Sequence, residues 1–500
     1  MRPPRRRLMA GLLLVPLLSG CFASSGDSAS GSSGSAGGGH LRVALAFAPT
    51  ENYSPYGQDA MLLSRLGVTE GLTRLDANGT AVPALAESWS RGNDGKSWEF
   101  TLRDAEFQDG GPVTAAAVAK ALTAAGKADP APAALAGVEL TATAVEGDRV
   151  RVSTSRPDPV LPLRLSNPSL AVFSPKAYGD EGAVDVVGTA TGPFALTRTT
   201  GDTSATLERF DDYWGGRAQA SGITARFVSD GTARANALRT GDVDIAESLP
   251  VAQIGSLDED TVHEVNTARN TSLHLNTASG PFADPRLRAA AREAIDPSAV
   301  AKGAYESSAV AARGLFGPAL TWAAGKRTEP AGRARAADPD GTRITLAAYS
   351  DRPELPETAQ VLQQQLEKAG FRVELEVRTY ARLEGDLLAG KFDAAVYSRN
   401  MLLDTGDPVT VLASDFTCDG PNNLSFLCDK RVDALIADAR AASGTAERQD
   451  AAMKAEAAVL ATDAVIPLVH LELATGVATS VRGALPDPYE RTLIGTGTRR

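Results

Sequence analysis

Two charged side chains in the C-terminal half have the types and spacing to hold a small charged molecule. Arg352 lies in "DRPELP" and Asp404 in "DTGDP", each just beyond an apolar run that reads as a strand. A guanidinium receives a carboxylate through two parallel hydrogen bonds, and a carboxylate receives an ammonium. Neighbouring strands lie about 4.8 Å apart, and an extended dipeptide spans roughly 7 Å. An Arg and an Asp on the same or next-but-one strand could therefore grip opposite ends of a small zwitterion.

The elements around them fit that geometry. "RITLAAY" (343–349) reads as a strand, and 357–370 as a helix with Val361, Leu362, Leu366 and Ala369 on one face and Gly370 as its stop. In 371–377, Phe371, Val373, Leu375 and Val377 alternate with Arg372, Glu374 and Glu376, which predicts a second strand. A helix over 380–389 and the strand "FDAAVYS" (392–398) complete a β-α-β-α-β unit, hence a parallel sheet. Ligands of such sheets bind beyond the carboxyl ends of the strands, where Arg352 and Asp404 fall three and six residues past their runs. Asp407, before Pro408, reads as the N-cap of the next helix. Upstream, 42–49, 97–103 and a hairpin within 190–210 read as strands, and the Ala-rich 112–126 as a helix. Trp214 in "DDYWGG" reads as core packing, while Tyr53 and Tyr56, in the loop after the first strand, could line a cleft.

The chain has 500 residues, 43% of them hydrophobic, enough for two or three domains. A net charge of −11 without a basic face argues against a nucleic-acid partner. The N-terminus joins Arg2, Arg5, Arg6 and Arg7 to the apolar run 8–18, the pattern of an export signal too short to span a bilayer. Its end, Leu18-Ser19-Gly20-Cys21, resembles a bacterial lipobox, which makes Cys21 the expected lipid anchor and 21–40 a Gly/Ser-rich tether. Cys418 and Cys428 then remain, and an exported chain with one leftover pair most simply forms a disulfide. A metal site is the alternative, but His40, His263, His274 and His470 are scattered and none has ligand spacing to the cysteines.

From about Leu41 to Gly483 the chain resembles the peptide, nickel and oligopeptide solute-binding proteins of ABC importers. The stretches that carry the likeness are "AVPALAESWSRGNDGKSWEFTLRDAEFQDGGPVTAAAVA", "TGPFALTRTT" with "ATLERFDDYWGG", "SDGTARANALRTGDVDIAES", and "NTSLHLNT" with "PFADPRLRAAAREAIDPSAV". The resemblance implies an α/β, two-lobed fold of the type II periplasmic-binding-protein kind with an extra small domain in the first lobe. The expected division is signal peptide 1–20, tether 21–40, lobe I from 41–76, 185–267 and 471–500, extra domain 77–184, and lobe II 268–470. "DTGDP" is similar to the segment of dipeptide-binding members whose first Asp receives the ligand's α-ammonium, and "DRPELP" to the one whose Arg receives its carboxylate. The stretch through "NNLSFLCDKRVDALIADARA" resembles their disulfide loop and following helix, which supports pairing Cys418 with Cys428. In one respect the chain departs from them: around "TYARLEGD" it has no Trp where dipeptide binders tend to be aromatic.

The expected role is a monomeric receptor, lipid-anchored on the outer face of the cytoplasmic membrane, that captures a short peptide and delivers it to a permease. A nickel chelate or other solute is the alternative ligand, and no cofactor is implied. An exported peptide hydrolase is the competing class. It lacks a Gly-x-Ser-x-Gly elbow in the folded part and any His-Glu-x-x-His, so no enzyme is expected.

Overall fold

A computed structural model describes residues 39–500 apart from 136, 180–182, 307, 353, 403 and 404. The expected signal segment, the Cys21 anchor, nearly all of the tether, and Asp404 lie outside the described residues.

Among the described residues, an 11-stranded mixed sheet runs through both halves of the chain. Arg343–Tyr349 pairs in parallel with Arg372–Arg378 on one side and Ala394–Asn400 on the other, so the strand that precedes Arg352 and the one that precedes Asp404 are immediate neighbours. The intervening helix, Glu354–Lys368, buries Leu355, Ala359, Leu362 and Leu366. Their i, i+4, i+7, i+11 spacing is one helical face, and it covers the sheet. In the first half Leu41–Leu45 runs parallel to Gly222–Phe227 and to Ile245–Ala246.

Two long antiparallel strands, Val262–Leu275 and Val465–Val477, join the halves. Val262 to Asn266 pairs with Glu472 to Gly476, next to Ile245–Ala246; Asn270 to His274 pairs with Val465 to His470, next to Ala394–Asn400. Between Asn266 and Asn270 the register shifts, and a shifted ladder bends more readily than a regular one. The buried side chains fall into separate cores on either side: Leu41, Val43, Ile223 and Phe194 in the first, Leu273, Leu346, Leu362 and Val396 in the second. The helices Pro408–Phe416, Lys430–Ala441 and Thr445–Ala461 close a further core around Leu412, Ile436 and Met453.

A small domain has its own four-stranded antiparallel sheet, ordered Ala86–Arg91, Ser97–Leu102, Arg149–Thr154, Leu140–Ala144. The helix Ala115–Lys127, capped by Thr114 Oγ1 accepting the Ala117 N–H at 3.2 Å, lies on it. This core draws in Leu72 from before residue 77, while Phe173 and Ala177, which the expected division gave to the small domain, pack into the first core.

Cys418 and Cys428 are joined as a disulfide. Asp407 stands at the N-cap position of Pro408–Phe416, yet its side chain caps no backbone N–H. Its carboxylate instead takes Arg448 Nε at 3.2 Å and Nη2 at 2.5 Å, while Arg448 Nη1 donates to the carbonyls of Ala439, Arg440 and Ala442. The expected local cap is thus replaced by a tertiary ion pair with the buried Arg448 guanidinium. Removing one member of such a pair strands the other charge; replacing both does not. Arg448→Met is expected to lower unfolding free energy in urea by about 3 to 5 kcal/mol, and the double variant Arg448→Met/Asp407→Leu to recover most of the loss.

Candidate ligand-binding site

The parallel strands of the second half end at Tyr349, Arg378 and Asn400. Val262–Leu275 runs the opposite way and places Arg269 across from Asn400, at the same edge. The three residues after Tyr349 bring Arg352 there, with Nη1 3.7 Å from Glu354 Oε1. Arg352 and Arg269 lie close enough to act electrostatically on one another. Burial pushes the Arg269 pKa down and Arg352 adds to that, while Glu490 opposes it.

From the first half, the carboxyl end of Ile245–Ala246 leads into buried Glu247, whose carboxylate accepts the Ala46 N–H at 3.1 Å and Arg65 Nη1 at 2.8 Å. Arg65 ends the helix Asp59–Arg65. Its Nε donates to the Glu490 carbonyl at 2.7 Å, and its Nη2 lies 3.6 Å from the Glu490 carboxylate. The same carboxylate takes Arg269 Nη2 and Asn400 Nδ2, each at 3.4 Å. Glu490 therefore binds groups from both sets of strand ends. It is held there by a turn in which Asp487 accepts the N–H groups of Tyr489, Arg491 and Thr492 at 2.8 to 2.9 Å, and its own backbone is left-handed, φ 60°.

An aromatic cluster lies beside Arg352. The rings of Tyr349, Tyr380 and Tyr397 have centroids 5.3 to 6.3 Å apart. Tyr380 opens the helix that follows Arg372–Arg378, and its amide donates to Asp351 at 2.6 Å. So the region that the sequence marks as lacking Trp is aromatic through three tyrosines drawn from three separate segments.

The other expected site residues are placed differently. Tyr53 is only 6% exposed, its ring packed 6.5 Å from that of Phe227 and its amide bonded to Asp59, so it belongs to the first core and not to an open wall. Tyr56 packs against the core of the small domain. Trp214 donates to Glu70 Oε2 at 3.0 Å beneath the guanidinium of Arg103, a packing and hydrogen-bonding role. His274 and His470 are buried, which drives their pKa values down to about 4 and leaves both neutral at pH 7. Arg65, Arg269, Asn400 and Glu490 escape sequence reasoning because no local spacing links them. Only the pairing of Val262–Leu275 with Ala394–Asn400 and the turn at Asp487 bring them together.

Two guanidiniums, Arg65 and Arg269, thus contact one carboxylate that touches both halves, and Arg352 acts on it electrostatically. Burial would raise the Glu490 pKa, but Arg269, Arg65 and Arg352 together outweigh it and hold the carboxyl below the ordinary 4.5. Its stabilisation is complete above that pH and is lost as pH falls through the depressed value. Glu490→Gln is expected to lower the melting temperature at pH 7, through a loss of about 3 kcal/mol. The gap from wild type should narrow steadily below pH 4.5. A gap that stayed constant with pH would mean that the charge of Glu490 is not what matters.

Residues 80–423 match the family of bacterial extracellular solute-binding proteins, family 5. The chain is 26% identical over 434 residues to the probable D,D-dipeptide-binding periplasmic protein DdpA of Escherichia coli (strain K12), covering 83% of this chain and 84% of that one. It is 27% identical over 448 residues to the nickel-binding protein NikA of Staphylococcus aureus (strain NCTC 8325 / PS 47), with 86% of each covered. Among solved structures, NikA from Brucella suis in complex with Fe(III)-EDTA superposes with a TM-score of 0.78 at 22% identity, over 92% of this chain and 99% of that one. These relatives bind solutes and are not enzymes, and their two-lobed fold is the one described above. On the extent of the family match, the chain belongs to the family 5 extracellular solute-binding proteins, which serve ABC importers.

Proposed function

We propose that the protein is a lipid-anchored receptor that captures short peptides between its two lobes and presents them to the permease. The observation that carries the peptide reading is the pair Arg269 and Arg352 at the carboxyl edge of the second lobe, with Glu490 as the carboxylate shared by Arg269 and Arg65. A buried Arg269 guanidinium with a second guanidinium, Arg352, acting on it at the same edge favours an added anion, and a peptide's terminal carboxylate matches that demand. Asp404, two residues beyond Leu402, is proposed as the partner of the peptide's α-ammonium. Ligand favours closure because only the closed form lets both lobes touch it, and the shifted register between Asn266 and Asn270 is the natural place to bend. The names of DdpA and of the murein tripeptide binding protein MppA accord with a peptide ligand. The nickel-binding relatives keep a metal chelate as the second reading.

Calorimetry with di- and tripeptides is expected to show binding that Arg352→Ala and Asp404→Ala each weaken at least tenfold, about 1.4 kcal/mol. Native mass spectrometry of the purified protein should show a co-purified peptide. If no peptide binds while a nickel–histidine complex does, the peptide reading is wrong and the receptor role stands. For the anchor, Cys21→Ser is expected to abolish palmitate labelling and to release the protein from the cell into the medium.

A further inference from the structure

A cavity of about 290 Å³ separates the small domain from the second lobe. Three of the chain's four tryptophans line it: Trp89 and Trp98 on adjacent strands of the small domain, and Trp322 opposite them. All three are partly exposed. Trp98 is fixed by its indole N–H, which donates to the Asp158 carbonyl at 3.0 Å, and Trp322 is braced against Phe316 with centroids 6.0 Å apart. Leu402 and Val160 add apolar wall. Among the described residues, charge enters the lining only through Asp407 and Arg448, which neutralise each other, and every guanidinium nitrogen of Arg448 already has an acceptor.

Large indole faces left partly uncovered between two domains lose contacts that an apolar guest would restore. The described lining residues offer no free charge to pair with an ion. Leu402 stands two residues past Asn400, a step of at most about 7 Å, so one solute can touch both the cavity and the group around Glu490. We infer that this cavity is a second subsite of the same receptor and takes an uncharged aromatic or bulky apolar part of the carried solute. The inference rests on the solute-binding reading, and it sets which peptides are carried: those with an aromatic side chain over those with small ones.

The test compares Ala-Phe with Ala-Ala by calorimetry, in wild type, in Trp322→Ala, and in Ala81→Trp, which fills the cavity from a half-exposed strand position. Thermal melting first establishes that both variants fold. Wild type should prefer Ala-Phe roughly tenfold or more, and both variants should bring the ratio close to one while leaving Ala-Ala binding unchanged. A wild-type ratio near one, or a preference indifferent to both variants, overturns the subsite and leaves a water-filled gap. If neither dipeptide binds, the peptide reading has failed, and the cavity is judged by N-acetylphenylalaninamide, observed by saturation-transfer NMR. Binding lost in both cavity variants but kept in Arg352→Ala supports the subsite; no binding, or binding indifferent to the variants, overturns it.

Discussion

The carboxylate of Glu490 is the interaction on which the arrangement of the two lobes turns. It gathers Arg65 from the end of a first-lobe helix, and Arg269 and Asn400 from the strand ends of the second lobe. Without it, Arg269, whose side chain is only 17% exposed, would lose this carboxylate partner, and Arg65, 14% exposed, would keep Glu247 alone. The shared sheet keeps the lobes in one molecule, since two long strands pass from one to the other, but a ladder whose register shifts at Asn266 to Asn270 does not fix their angle. The charge cluster adds a second tie between them, since Glu490 contacts groups from both sets of strand ends.

Much of the second lobe is legible in the sequence because its signals are local. Helix periodicity in 357–370 and alternation in 371–377 are settled by neighbours within a few residues, and the observed elements differ by only a few residues at their ends. The position of Arg352 just past a strand follows from the same logic, since the run before it ends at Tyr349. The rest depends on contacts between segments hundreds of residues apart. Val262–Leu275 mixes polar and apolar residues because it crosses from one core to the other, so no single period describes it. Glu490 adopts a left-handed backbone that its residue type does not favour, imposed by the hydrogen bonds to Asp487. Asp407 shows the converse: the sequence correctly places it before a helix, yet Arg448, 41 residues on, decides what its side chain does. Tyr53 misleads for a related reason, because a loop residue with a positive φ of 62° can turn its ring inward.

The placement of the tryptophans has an optical consequence. Trp214 lies beneath Arg103, 3.7 Å from its guanidinium, and donates to Glu70. The other three indoles surround one space. The ultraviolet emission of the protein is therefore weighted toward a single interdomain region, and its wavelength follows how wet that region is. A receptor of this kind carries a built-in gauge of the gap between its small domain and its second lobe, readable without any attached dye.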